Sequence, residues 1–502
     1  MIPKKETADH KSKKGWIETA VFVGGTAVMI LELIGSRILA PYLGTSIFVW
    51  SALIGIILGA LSLGYYLGGY FSRRGGKLSF LALILFLAGI SVSMIILFRK
   101  HVLLFAMALG AQMGSVIATT VLFALPSILL GMVSPYAIHL KIDTVERSGG
   151  VAGNLYALST IGSILGTFLA GFYLIPTFNT DQILIGLSVV LFATSLFVSF
   201  DWKKIYFFPV VIFLSVVFSP SSAKNVFEMD SAYNHIRVVD FRESKSKLAV
   251  RALFLATVPH SLIYLDSNEL YSNYYRLYRL DNLFMPNIRR GLTLGGGAYI
   301  APVDFLDRYP NAEMTVVEID PKVTQVAKDY FRLQPYPRLD IHHQDARMFL
   351  NQTNKTYDVI YGDVFSSFFA IPFHLTTQEA LRKIHDILTD KGVFILNLVS
   401  SLEGKKSLFF QAEYKTLQTI FPQLYIFLTD FPTGDLSKAQ NIIIIATKYP
   451  ERLTKEVMLQ RASDKQKELL DRLWEKKVVI DPNTKILTDD FAPVDYYLSK
   501  LL

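Results

Sequence analysis

Residues 291–320 read GLTLGGGAYIAPVDFLDRYPNAEMTVVEID, and their order decides the fold. GLTL is a short apolar strand, Gly295, Gly296 and Gly297 a turn, AYIAPVDFLDRY a helix and MTVVEID a second strand. Glycines at such a turn let backbone approach a ligand where any side chain would collide. Glu318 ends the second strand about 20 residues later, a spacing that suits a carboxylate accepting from ribose hydroxyls. Pro321 then opens the helix PKVTQVAKDYF at its first turn. RLDIHHQDARMFL gives strand, turn and short helix; TYDVIYGD, TTQEALRKIHDIL and GVFILNLV supply strand, helix and strand. This alternation implies a parallel sheet with helices on both faces. Ligands of such sheets sit beyond the carboxyl ends of the strands. Acids occupy those ends: Glu318 after the second strand, Asp345 (followed by Ala346) after the third, and Asp363 after the fourth. Asp345 is placed to bind an adenine amino group, and Asp363 faces the cleft centre. Singly, a triple glycine is often a plain turn and Asp320-Pro321 a helix cap; in this order they mark one ligand site. GGGAYIAP lacks the G-x-G-x-x-G spacing of pyrophosphate sites, which favours a phosphate-free nucleoside, S-adenosylmethionine or its decarboxylated form, over NAD.

The 502-residue chain is 51% hydrophobic and 18% charged, with formal charge +8. The long apolar runs lie within 17–220, and 221–502 has a globular composition. Basic residues sit in short clusters between apolar runs and in the tail, so a membrane surface accounts for the charge better than nucleic acid does. With no cysteine, disulfides, thiolate nucleophiles and cysteine–metal sites are excluded, and no metal is expected.

Spanning a bilayer takes about 20 apolar residues. The expected spans are 17–40, 47–71, 78–98, one within 102–140, 151–176 and 181–200. Lys4, Lys5, Lys11, Lys13, Lys14, Arg73, Arg74, Lys77, Lys141, Arg147, Lys203 and Lys204 then fall on one side, Arg99 and Lys100 on the other, which places the N-terminus in the cytoplasm. IYFFPVVIFLSVVF (205–218) is short and holds Pro209; it reads as re-entrant or interfacial, with a seventh span as its rival. Gly55 and Gly59, Gly64 and Gly68, and Gly162 and Gly166 carry helix-packing spacing. LIGIILGALSLGYYLGG and LYALSTIGSILGTFLAGF resemble copies of one another three spans apart, an inverted repeat. Glu32 and Arg37, five residues apart, are expected to find separate packing partners.

Together LTLGGGAYIAPVDFLDRYP, VVEIDPKV, HHQDARMFL, YDVIYGD and IPFHLTT resemble spermidine synthase, and the layout resembles its membrane-fused bacterial relatives. The likeness implies a helical membrane bundle of about 6–7 spans fused to a small β-domain and a Rossmann-like, class I methyltransferase-type α/β domain. The expected division is a basic N-terminus (1–16), a transmembrane domain (17–220), the β-domain (222–288), the cofactor domain (289–448) and a helical tail (449–502). By the same likeness Asn234 takes the place of a cofactor-contacting glutamine, Tyr274 or Tyr275 faces the substrate, and Asp489 and Asp490 close over the site or cap a turn. Family synthases carry GGGDGG, whose acid holds the aminopropyl ammonium; here that position is Ala298. They carry a second acid after the one matched by Asp363; here Ser366 or Phe368 stands in its place. The resemblance thus implies aminopropyl transfer from decarboxylated S-adenosylmethionine to a polyamine-type amine, with Asp363, alone or aided by His374, as base. Two readings stay open beside it: an enzyme acting on intact S-adenosylmethionine by methyl transfer or as a lyase or cyclase, and a non-catalytic nucleoside sensor of a membrane transport bundle. The expected partners are the lipid bilayer, a small amine and no nucleic acid, with a homodimer left open. The expected location is the inner membrane, multi-pass, with the C-terminal domain cytoplasmic.

Overall fold

The computed structural model describes residues 6–200, 225–364, 371–430 and 434–501, apart from residues 74, 143 and 245. Segment 205–218, and Ser366 and Phe368 at the missing acid, lie outside the described residues. The chain divides into two compact units, Met1–Ala223 and Lys224–Leu502.

The first unit is helical. Its elements are α1 (Glu6–Leu43), α2 (Ile47–Ser72), α3 (Leu78–Met107), α4 (Gly110–Lys141), α5 (Ser148–Leu169) and α6 (Thr180–Val198). Among the described residues, six helices are long and apolar enough to cross a membrane. Sequence put Arg99 and Lys100 in a loop, yet α3 continues through them because Arg99 pairs with Asp181 at the start of α6, N to O 2.8 Å. An Asn179–Gln182 capping box opens α6. Beyond α5 the helix widens into a π-turn, Ala170–Leu174, and Arg37 donates to the Ile175 carbonyl there at 2.6 Å. Arg37 therefore finds a partner beyond its own helix.

Two glycine seams hold this unit. A Cβ on Gly64 or Gly68 would collide with the carbonyls of Ile128 or Met132 on α4. One on Gly162 or Gly166 would collide with those of Phe22 or Thr26 on α1. The reverse contacts match: Gly25 abuts the Ser159 carbonyl, and Gly131 abuts that of Leu61. One shift along the chain carries 22, 25 and 26 to 128, 131 and 132; another carries 61, 64 and 68 to 159, 162 and 166. The repeat suspected between α2 and α5 thus extends to α1 and α4, each triplet lending its second helix to the first helix of the other. Gly55 and Gly59 meet nothing within 4 Å and take no part.

The second unit opens with an antiparallel sheet, β1 (Asn225–Asp230), β2 (His235–Arg242), β3 (Ala249–Leu255) and β4 (Val258–Tyr264), paired in chain order. Helices α7 (Asn273–Tyr278) and α8 (Asp281–Phe284) lead to the larger sheet. That sheet comprises β5 (Arg290–Leu294), β6 (Glu313–Val317), β7 (Leu339–His342), β8 (Tyr357–Gly362), β9 (Leu388–Ser400), β10 (Gln423–Leu428), β11 (Gln440–Thr447) and β12 (Leu473–Trp474). Between its strands run α9 (Ile300–Arg308), α10 (Pro321–Tyr330), α11 (Ala346–Gln352), α12 (Gln378–Ile387) and α13 (Leu408–Gln418). The strand order is β12-β10-β11-β9-β8-β5-β6-β7. Strands β7, β6, β5, β8 and β9 run parallel, and β11 is antiparallel to both neighbours. This is a Rossmann-like, methyltransferase-type sheet, whose order reverses at β5 with β6 on one side and β8 on the other. Clefts form at such switch points.

The small antiparallel sheet shares a core with the α/β domain. Ile236, Val238 and Leu253 pack with Ala298, Val323 and Phe331 in one apolar cluster. The tail is less helical than sequence suggested. It holds α14 (Lys455–Arg461), α15 (Asp464–Leu470) and α16 (Val494–Leu498), but Leu473–Trp474 adds an edge strand to β10.

Candidate active site

The parallel strands deliver the site residues to one rim. Glu318 follows β6, Asp345 follows β7 and Asp363 follows β8, while the glycine turn follows β5. Gly295 and Gly297 take positive φ, 89° and 51°, which side-chain-bearing residues rarely adopt. A Cβ on Gly297 would meet Ser261 Oγ at 3.1 Å, and one on Gly295 would collide with the Asp363 carbonyl. The turn is therefore a cradle open only to backbone. Tyr299 also has positive φ, and its buried hydroxyl pairs with Thr324 at 2.6 Å, which holds the strained turn in place.

A cavity of about 380 Å³ opens beside the cradle, within the size range of small-ligand sites. Gly295, Gly296, Gly297, Tyr274, Tyr275 and Asp363, all expected site residues, line it. So do His260, Ser261, Asn397, Asp430 and Asn441, which sequence reasoning missed. Neither lysine nor arginine lines it among the described residues.

Asp363 is the chemical focus. Burial pushes its carboxyl up to about 6; a 2.9 Å hydrogen bond from Asn397 Nδ2, then the nearby Tyr278 hydroxyl, pull the other way. Tyr278 Oη forms no hydrogen bond of good geometry. Tyr274, Tyr275 and Tyr278 share one face of α7, with ring centroids 4.1 Å apart for the first two and 5.9 Å from each to the third. Burial and then other charges and hydroxyls, Asp363 among them, raise their phenols, so all three stay protonated. Tyr275 Oη lies 3.4 Å from Ser261 Oγ, which accepts from the Ala298 N–H at 3.2 Å. Burial lowers His260 to about 4, so its ring is neutral at physiological pH.

Glu318 accepts from the Gly296 and Gly297 N–H groups, at 2.9 and 3.3 Å, and from Asp320 N–H at 2.9 Å. Burial raises its carboxyl, and these three donors oppose the rise. Asp345 caps α11 by accepting from Met348 N–H, with Ala346 buried at the first position of that helix.

Other expected residues lie off the cavity. Asn234 donates to Asp320 Oδ2 at 3.0 Å, a bond across the junction of the two sheets. His374 faces Asp345 at 3.3 Å, and its carbonyl accepts from Arg347. Asp489 ties the tail to Arg347 and Thr377, at 2.6 and 2.7 Å, instead of reaching over the cavity. Ala298, in the place of the family acid, puts its methyl into the apolar cluster between the sheets. Asn397 carried a readable signal, a lone amide inside the apolar strand GVFILNLV; Asn441 stands just before another apolar run.

Residues 278–456 match the family model of the spermine/spermidine synthase domain. The chain carries a spermidine synthase-family domain. Relatives agree with that assignment. A polyamine aminopropyltransferase of Vibrio vulnificus is 27% identical over 239 residues, covering 46% of this chain and 77% of that one. Polyamine aminopropyltransferase 2 of Aquifex aeolicus is 23% identical over 414 residues, 76% of this chain and 78% of that one. That span exceeds the second unit, so the likeness reaches into the helical unit. A human eEF1A lysine and N-terminal methyltransferase is 33% identical over 144 residues, but this chain spans only 20% of its length.

Proposed function

We propose that the synthase domain transfers an aminopropyl group from decarboxylated S-adenosylmethionine to an amine, releasing methylthioadenosine. The observation that carries this reading is Asp363, a half-buried carboxylate on a cavity that neither lysine nor arginine lines among the described residues, with tyrosines beside it and the glycine cradle adjoining. The cradle, Glu318 and Asp345 suit the adenosyl part, because they offer close backbone and acceptors for ribose and amino groups.

The amine enters as an ammonium. Asp363 attracts it and orients it, and must take one proton before the nitrogen lone pair is free. That lone pair forms the new C–N bond as the C–S bond breaks, and the sulfonium electrons return to sulfur in the neutral thioether. One proton leaves for solvent. A carboxyl raised to about 6 is a better proton acceptor than one at the ordinary 3.8. His374 is occupied by Asp345, which favours Asp363 alone as the base.

A second reading, chemistry on intact S-adenosylmethionine, draws on Ala298: no acid there repels the carboxylate of that molecule. The resemblance to a named methyltransferase points the same way. Membranes containing the protein, incubated with each cofactor form plus putrescine and followed by mass spectrometry, separate the readings. Methylthioadenosine with spermidine from the decarboxylated form supports aminopropyl transfer. A methylated product, or methylthioadenosine from the intact form alone, supports the second.

A further inference from the structure

We propose that Asn397 and Asn441 are positioning residues, an amide relay that occupies one oxygen of Asp363 and leaves the other as its sole working oxygen. The inference rests on the transfer reading for its catalytic meaning, but its geometry stands apart from it. Asn397 Nδ2 donates to Asp363 Oδ1 at 2.9 Å, and Asn441 Nδ2 donates to Asn397 Oδ1 at 2.9 Å.

Three adjacent strands build the relay. Gly362 of β8 pairs with Leu396 of β9, which sets Asp363 beside Asn397. Asn441 pairs with Val399, and Ile443 with Asn397, so Asn441 and Asn397 are diagonal neighbours on one face of the β9–β11 ladder. Thr429 fixes the backbone at the far end by donating both N–H and Oγ1 to the main-chain carbonyl of Asn441, at 3.2 and 2.9 Å. Asn397 is buried, so its conformers are few.

The direction of the relay follows from its chemistry. An ionised carboxylate only accepts, so Asn397 must present its amide N–H to Asp363. Its carbonyl then turns to Asn441, which must donate. Neither amide carries a titratable proton. Oδ1 is therefore occupied whether Asp363 is charged or neutral, and a proton drawn from a bound ammonium goes to Oδ2. The transferred proton moves from the amine nitrogen to Oδ2, and then to solvent. The groups facing this carboxyl are Tyr274, Tyr275 and Tyr278 from α7 and the two amides from β9 and β11. His260 and Asp430 are further titratable groups on the cavity wall, and residues 365–370, FSSFFA, contain no ionisable side chain.

The test uses full-length protein in detergent and the infrared carboxyl stretch of Asp363, assigned by its loss in Asp363→Asn. In Asn397→Leu the lost donor should move the titration up by about one pH unit. Asn441→Ala, at the less buried end, should move it the same way by less. If turnover is present, the acidic limb of kcat/KM should shift in parallel, with kcat affected more than KM for the amine. An unchanged titration in both variants overturns the relay, and so does a downward shift. Absence of turnover in the unsubstituted protein counts against the transfer reading only, because the infrared titration still decides the relay.

Discussion

Asp363 is the base of the proposed transfer, and its burial has two measurable consequences. Asp363→Asn should lower transfer by about 10²–10⁴-fold, the usual contribution of a positioned base. It should also raise the melting temperature at pH 7–8 but not at pH 4. The sign follows from linkage. The folded carboxyl, at about 6, lies above the ordinary 3.8, so ionising it costs stability as pH rises through that window. His235 shows the opposite case. Burial alone would lower it, but hydrogen bonds and charge from Asp230 and Glu228 outweigh that and raise it from 6.5 to about 9. Its contribution is therefore full below pH 6.5 and fades as pH rises through 9. Thermal melts of His235→Gln should show destabilisation at pH 6 and little at pH 10. Ala298→Asp offers a further check. Because the 298 methyl sits in an apolar cluster, the carboxylate would be buried without a partner. The variant should melt lower instead of gaining synthase activity; an undiminished melting temperature would contradict the placement.

The glycine seams explain why α1 and α5, and α2 and α4, approach so closely, and they make a graded prediction. Gly64→Leu and Gly162→Leu force side chains into neighbouring carbonyls and should each cost about 1–3 kcal/mol, as overpacking does. Gly55→Leu and Gly59→Leu meet open space and should leave the detergent-solubilised melting temperature unchanged. Sequence gave all three glycine pairs the same weight, because spacing reports a helix face but not what faces it. The six long apolar helices among the described residues, and nine of the strand or helix segments between 291 and 398, were readable, since apolar length and periodicity are local properties. The Asn397–Asn441 contact was not: it depends on the register of β9 against β11, set by residues far apart in the chain. His374 and Asn234 illustrate the same limit. Each lies near the rim in sequence, yet Asp345 and Asp320 engage them.

A spermidine synthase-family domain and a repeated helical unit share one chain, and the match to the Aquifex aeolicus relative covers parts of both. The Rossmann-like sheet accounts for where the cradle and acids stand: strand order reverses at β5, and the glycine turn and Asp363 flank that reversal. A second carboxylate, Asp430, lines the same cavity, so its wall carries acidic groups that suit a cationic guest. The central claim is that this rim holds a phosphate-free adenosyl sulfonium beside Asp363. Isothermal titration of the purified full-length protein with decarboxylated S-adenosylmethionine tests it most directly. Saturable heat that survives Asp363→Asn but is lost when Gly295→Val blocks the cradle is the expected result. No binding heat from either the decarboxylated or the intact form would contradict the account.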